Sequence, residues 1–208
     1  MRSALLICFF QITSVIFPLG IDVLAHEGHA VPAPASIQPR VRAKLVDAPV
    51  VTHLGRRTTL AALAGERVVV IDFAYTSCTT FCPVVSAIMD RVGRSLENRV
   101  GSEIVLMTVT VDPVRDTPQR LAAYAARFAP GGEWHWVTGE KSDIDAVLKG
   151  LGAYTANPED HPPLVLVGHP ASGKWTRLNG LPDAEVVAQH ARNLADLTFA
   201  RGAKGDKR

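Results

Sequence analysis

Two cysteines separated by three residues, Cys78 and Cys82, have the widest chemical scope of any pair in this chain. They lie in Tyr75-Thr-Ser-Cys78-Thr-Thr-Phe-Cys82-Pro83, between an apolar run and a stretch of helical periodicity, which places them where a buried strand turns into a helix. Unpaired backbone N–H groups at a helix start favour negative charge and so lower thiol pKa values. Four-residue spacing lets Cys78 fold over the face that carries Cys82, close enough for the sulfurs to share a bond or an ion. In an oxidising compartment such a pair fits a structural disulfide, a dithiol–disulfide couple or a metal site. Closing so short a loop removes little chain entropy, which counts against the first. A redox couple normally has two intervening residues where this chain has three, and the extra residue tilts the reading toward metal.

Two thiolates leave a metal shell incomplete, so a third ligand is needed. Soft sulfur favours Cu(I), and imidazole accepts either copper oxidation state. Of the seven histidines, His161 stands out, in a loop just before Pro162-Pro163 and an apolar strand. His53 and His135 lie in or beside strands and read as core or surface residues; His190 reads as packed on a helix, and His169 as solvated in a turn. Asp160 is a candidate to orient His161, as metal-bound histidines usually have such a partner. Asp112 and Asp116 suggest an acid–base pair, but strand-end and helix-cap roles account for them better.

The elements that must hold these residues alternate. Arg67 to Tyr75 and Glu103 to Val111 are continuous apolar runs, as in strands buried on both faces. Between them a helix starts at Pro83, capped by Thr79 or Thr80, with Val84, Ile88, Val92 and Leu96 as its apolar stripe. Thr117 caps and Pro118 starts a second helix with Leu121, Tyr124, Ala125 and Phe128 on one face. Trp134 to Thr138 is a strand, and Ser142 caps a short helix carrying Ile144, Val147, Leu148 and Leu151. Leu164 to Val167 and Lys174 to Leu178 form a hairpin, and a last helix from Pro182-Asp183 turns Val186, Val187, His190 and Leu194 inward. The order predicts an α/β fold of the thioredoxin arrangement, a mixed central sheet with helices on both faces.

The chain has 208 residues and a formal charge of +2, too small and dispersed for a nucleic-acid surface. Residues 1–25, with one positive charge, an apolar run and Val23-Leu24-Ala25, read as a secretory signal, or else as a membrane anchor of nearly spanning length. Either reading puts the folded part outside the cytoplasm, in a bacterial periplasm. Cys8, inside the apolar run, is hydrophobic filler. Residues 26–40 read as a Pro/Ala-rich tether, 41–200 as the folded domain and 201–208 as a polar tail. His26 and His29 make a second, weaker Cu(II) candidate should cleavage follow Ala25.

Three segments, Tyr75-Thr76-Ser77-Cys78-x-x-x-Cys82-Pro83, Thr110-Val111-Asp112-Pro113-x-x-Asp116-Thr117-Pro118 and Asp160-His161, in this order and at these separations, resemble the Sco/SenC family of copper proteins. The similarity runs from about Val50 to the last helix. It implies a thioredoxin-like (peroxiredoxin-like) domain, monomeric, binding one copper through Cys78, Cys82 and His161. It also implies a part in building the dinuclear copper centre of cytochrome c oxidase, by delivering copper, by reducing the target's cysteines, or both. The partner would be the copper-binding subunit of that oxidase or another periplasmic copper protein. The rival is an extracytoplasmic thiol–disulfide oxidoreductase with Cys78 and Cys82 as its redox-active dithiol. The chain departs from the family pattern at Thr79, where Pro is usual, at Pro162-Pro163, and by one extra residue near Ser172.

Overall fold

A strand buried on both faces needs apolar residues at every position, and β4 (Val68–Ala74) comes close to that requirement, with all seven residues buried. Its alternate side chains serve two cores: Val68 and Val70 point to one, Val69, Ile71 and Phe73 to the other. The computed structural model describes residues 35–128 and 133–205. The signal or anchor, His26 and His29 therefore lie outside the described residues. The strands are β1 (Ser36–Pro39), β2 (Val50–Thr52), β3 (Arg57–Thr58), β4, β5 (Ile104–Thr110), β6 (Trp134–Thr138), β7 (Leu164–His169) and β8 (Lys174–Asn179). They form one sheet in the order β1-β8-β7-β4-β5-β6-β2-β3. β4, β5 and β6 run parallel, and β7 lies antiparallel to β4.

Helices cover both faces, so the mixed thioredoxin-like sheet is as expected. Helix α2 (Cys82–Leu96), α3 (Pro118–Ala125) and α5 (Ala184–Gly205) pack on one core, and α1 (Leu60–Ala64) and α4 (Lys141–Gly150) on the other. Thr117 caps α3 by accepting from the Arg120 N–H, with Pro118 at its first position.

Several local expectations are corrected. The stretch read as a tether contributes β1, whose Ser36 to Pro39 pair with Asn179 to Thr176 of β8. Backbone pairing to a free sheet edge needs no apolar pattern, so nothing in the side chains announces it. The buried stripe of α2 is Cys82, Val85, Met89, Val92 and Leu96, while Val84 is 43% exposed. The helix begins at Cys82, which shifts the first half of the stripe by one residue, to Val85 and Met89, while Val92 and Leu96 are buried as expected. Neither Thr79 nor Thr80 caps it. Glu140, without a side-chain bond, replaces Ser142 as the cap residue of α4. On α5 the inner stripe is Ala184, Val187, Ala188, Ala191 and Ala195, and Val186 is exposed. Small side chains let that helix approach α2 and the sheet closely, a gain that apolarity alone does not reveal. His169 is buried, with Nε2 3.1 Å from the Glu66 carbonyl oxygen, rather than solvated.

The β7–β8 hairpin depends on one glycine. A Cβ on Gly168 would sit 2.0 Å from the Trp175 ring, which lies across β7. Gly168→Ala is expected to cost about 1–3 kcal/mol by overpacking, read as a fall of several degrees in the thermal midpoint; an unchanged midpoint would show that Trp175 can swing away.

Candidate metal centre

The loop from Tyr75 to Phe81 leaves the C-terminal end of β4 and delivers the chain to α2. It is pinned from beneath. Asp116, 1% exposed, accepts from the Thr76 backbone N–H at 3.2 Å, from the Thr76 hydroxyl, and from the Thr110 hydroxyl at 2.6 Å. Asp116 is thus a clamp between the cysteine loop and the end of β5, and Thr117 rather than Asp116 caps α3. Asp112 sits at the strand end and pairs with Arg115 at 3.1 Å. The two aspartates do not form an acid–base couple.

Above the clamp, the Cys78 N–H donates to the Tyr75 carbonyl at 3.1 Å, and the Cys82 N–H donates to the Cys78 sulfur at 3.4 Å. The first N–H of α2 is satisfied by sulfur, which explains why the helix needs no threonine cap. The Thr80 hydroxyl lies 3.7 Å from the same sulfur. Both cysteines are buried and unbridged. The hydrogen bond from Cys82 and the N–H groups around it hold the Cys78 thiol down to about 5, against the opposing effect of burial. Cys82 is pushed the other way, by the same bond and by burial, and keeps its proton. The pair thus combines one stabilised thiolate with one thiol. Burial, then the charge of Cys78, raise the Tyr75 phenol to about 12, so it remains a donor beside the sulfur. Cys78 should accordingly react with iodoacetamide at pH 6 far faster than an ordinary thiol, with Cys82 trailing; equal slow labelling of both would refute the asymmetry.

His161 faces this pair across a cleft of about 180 Å³, which Cys78, Cys82, Tyr75, Phe81, Glu159 and Asp160 also line. A short turn, Pro158–Asp160, started by Pro158 and capped by the Asn157 side chain, carries the chain to it. The His161 ring packs on Phe73, centroids 5.3 Å apart, and its Nε2 is shielded from solvent with no hydrogen-bond partner. Burial pushes its pKa down to about 4, so the imidazole is neutral at ordinary pH and free to ligate. Asp160 makes no hydrogen bond to the His161 ring among the described residues. Nor, among them, do three Cys, His, Asp or Glu side chains converge at ligating distance. The Cys78 sulfur accepts from the Cys82 N–H and the imidazole shares the cleft that both cysteines line, but the three are not drawn into a closed shell. The donor set fits a soft monovalent ion: two sulfurs, one already ionised, and one orphaned neutral nitrogen.

Other histidines are engaged elsewhere. His53 Nδ1 accepts from the Trp136 N–H at 3.2 Å, and His135 contacts Glu133.

The SCO1/SenC family pattern matches residues 48–191, which is most of the chain and includes all three candidate ligands. The chain belongs to the SCO1/SenC family. A SCO1 protein homologue of Bacillus subtilis is 32% identical over 108 residues, covering 50% of this chain and 55% of the relative. The chain spans about half the length of the curated relatives it matches. Among solved structures, Bradyrhizobium japonicum ScoI with copper bound aligns with a TM-score of 0.61 at 22% identity, covering 73% of this chain and 99% of that one. BsSco, described as a member of the Sco family of cytochrome c oxidase assembly proteins, aligns at 0.64 and 24% identity, covering 77% and 97%. These likenesses establish the thioredoxin-like fold of this SCO1/SenC protein.

Three site features escape a reading of the sequence. Tyr75 enters such a reading only as part of the motif, and Asp116 only as a helix-end residue. Asp72 escapes it altogether, although an acid inside Val68-Val-Val-Ile-Asp72-Phe-Ala74 is a charge in a buried strand and a clear signal. It is fully buried, accepts from the Thr108 hydroxyl, and Thr108 in turn accepts from the Trp134 indole N–H at 2.8 Å.

Proposed function

We propose that this protein is a copper metallochaperone that holds one copper ion through Cys78, Cys82 and His161 and assists assembly of the copper centre of cytochrome c oxidase. The observation that carries the reading is the pairing of a stabilised Cys78 thiolate with a buried, unpartnered His161 Nε2 across one small cleft. The copper-bound state of ScoI and the assembly role in the description of BsSco support it. The partner is a copper-accepting protein of the bacterial envelope, foremost the copper-binding subunit of the oxidase.

Cu(I) arriving at the cleft meets one ready thiolate at Cys78. Cys82 then gives up its proton to solvent, and the segment Asn157–Pro163 closes so that His161 reaches the ion. Ligand exchange with the partner's own soft donors removes the copper and returns the proton to Cys82. Exchange with a partner's disulfide, which leaves as two thiols, converts the pair to a Cys78–Cys82 disulfide and empties the site, because a ligating sulfur must be a thiolate.

The asymmetric pair also favours a second reading, an extracytoplasmic thiol–disulfide oxidoreductase. A low-pKa Cys78 would attack a partner disulfide, and Cys82 would resolve the mixed disulfide, leaving the partner's two thiols and one new Cys78–Cys82 bond. Copper counting on reduced protein from copper-supplemented cells separates the two. About one copper per chain, with X-ray absorption showing two sulfurs and one imidazole nitrogen and its loss in C78S/C82S, is the expected result; no copper together with fast reduction of a test disulfide selects the oxidoreductase.

A further inference from the structure

The end of the sheet opposite the cysteines carries a groove of about 650 Å³ between the β1 exit, the start of β8 and α5. Its floor is apolar, with Val167 buried and Leu194 half-buried, and Leu197 is 51% exposed at the lip. Arg40, Arg42, Lys174 and His190 line it, and among the described residues no acidic side chain does. Arg40, Arg42 and Lys174 have no carboxylate partner among the described residues; other basic side chains such as Arg57, Arg91, Arg120 and Lys149 are also unpaired, but these three gather around one groove that no acid lines. Three unneutralised cations around an apolar floor complement an anionic amphiphile. Arg40 also has φ +59, a left-handed backbone that disfavours any side chain but glycine's. A glycine there would be less strained, and the arginine is present despite that cost.

Along the sequence, eleven residues separate Leu24, the end of the apolar N-terminal run, from β1, and β1 ends at the groove. We infer that this groove is a docking face for the surface of a membrane containing anionic phospholipid, with Arg40, Arg42 and Lys174 meeting the headgroup phosphates and Leu197 meeting the acyl boundary. An acidic protein segment would answer the charges but not the apolar floor that opens beside the lip.

Docking of this kind orients the domain. His169 and Lys174 pair at the groove end of the β7–β8 hairpin, while Leu164, at the other end of β7, lies just beyond His161 and its two prolines. Five residue steps of about 3.3 Å separate the two ends of β7 by roughly 17 Å. With the groove on the bilayer, Cys78 and Cys82 face away from it, open to a soluble partner domain.

The test places the photocrosslinker p-benzoylphenylalanine in the full chain at Leu197 (Leu197→p-benzoylphenylalanine), and separately at Val114, which is 73% exposed near the cysteine end. Each protein is mixed with vesicles of phosphatidylcholine alone or with phosphatidylglycerol added. An apolar N-terminal segment that enters either vesicle contributes equally to both, so the ratio reports the groove. Three basic side chains at an anionic surface should raise the Leu197 lipid adduct by up to about a hundredfold at low salt, and the gain should shrink at about 0.5 M salt. R40Q/R42Q/K174Q, with its fold checked by circular dichroism, should lose most of that gain, and each single variant part of it. Equal adducts with both lipids, an adduct unchanged in the variants, equal labelling from Val114, or crosslinking to protein instead of lipid would each overturn the assignment.

Discussion

Replacing His161 with alanine is expected to weaken Cu(I) retention by more than about a hundredfold, since loss of a ligand's supporting partner alone costs roughly 10- to 100-fold. The fold should survive the change. His161 makes no hydrogen bond through Nε2, so no partner of that atom is orphaned in the variant, and the lost ring contact with Phe73 is a modest packing loss. The effect should be larger for Cu(II), which relies more on nitrogen. Competition against a chelator of known affinity, run beside urea unfolding of the copper-free protein, reads both quantities. Unchanged copper affinity would remove His161 from the ligand set, and a collapsed fold would show that its role is structural.

The second large effect concerns stability and lies at Asp72. Burial raises its pKa from 3.8 to about 7, with the Thr108 hydroxyl pulling the other way. The folded protein therefore keeps this proton up to about pH 7, while the unfolded chain releases it near pH 4. Between those values the native state binds more protons than the unfolded state, so this group's contribution to stability is greatest below pH 4 and falls as pH rises toward 7. A carboxyl raised that far carries a penalty on the order of 4 kcal/mol once pH exceeds its folded-state value. Asp72→Asn keeps an acceptor for Thr108 and carries no charge to desolvate. The variant should be more stable than the parent by a few kcal/mol at about pH 8, with the difference vanishing near pH 4, in urea unfolding of reduced, copper-free protein. A difference that does not change with pH would mean that Asp72 is charged in the fold.

Much of the architecture is legible because a buried strand and an amphipathic helix each impose a local period. Val68–Ala74 and Ile104–Thr110 are readable as continuous apolar runs, and Thr117-Pro118 as a helix start, since each property belongs to a few adjacent residues. β1 and the outer pair β2 and β3 are not, being strands of two to four residues at the sheet margins, and the pairings of β1 with β8 and of β2 with β6 join distant parts of the chain; α1, one turn long, is too short to show a period, although Thr59 and Gly65 mark its ends. Helix faces read from periodicity hold at Val92, Leu96 and Val187 but miss by one residue at Val84 on α2 and Val186 on α5, because rotation is set by where a helix starts and how closely it packs.

The types and spacing of Cys78, Cys82 and His161 were determined by the sequence alone, as was the placement of the cysteines at a strand-to-helix turn, since backbone continuity within a few residues suffices for both. Which sulfur is ionised, that Asp116 clamps their loop from 40 residues away, that His161 shares their cleft with an unpartnered nitrogen, and that basic side chains gather at the opposite end were decided only in three dimensions. Charge state and desolvation depend on the complete set of neighbours around an atom, and in a sheet of order β1-β8-β7-β4-β5-β6-β2-β3 most of those neighbours come from remote parts of the chain.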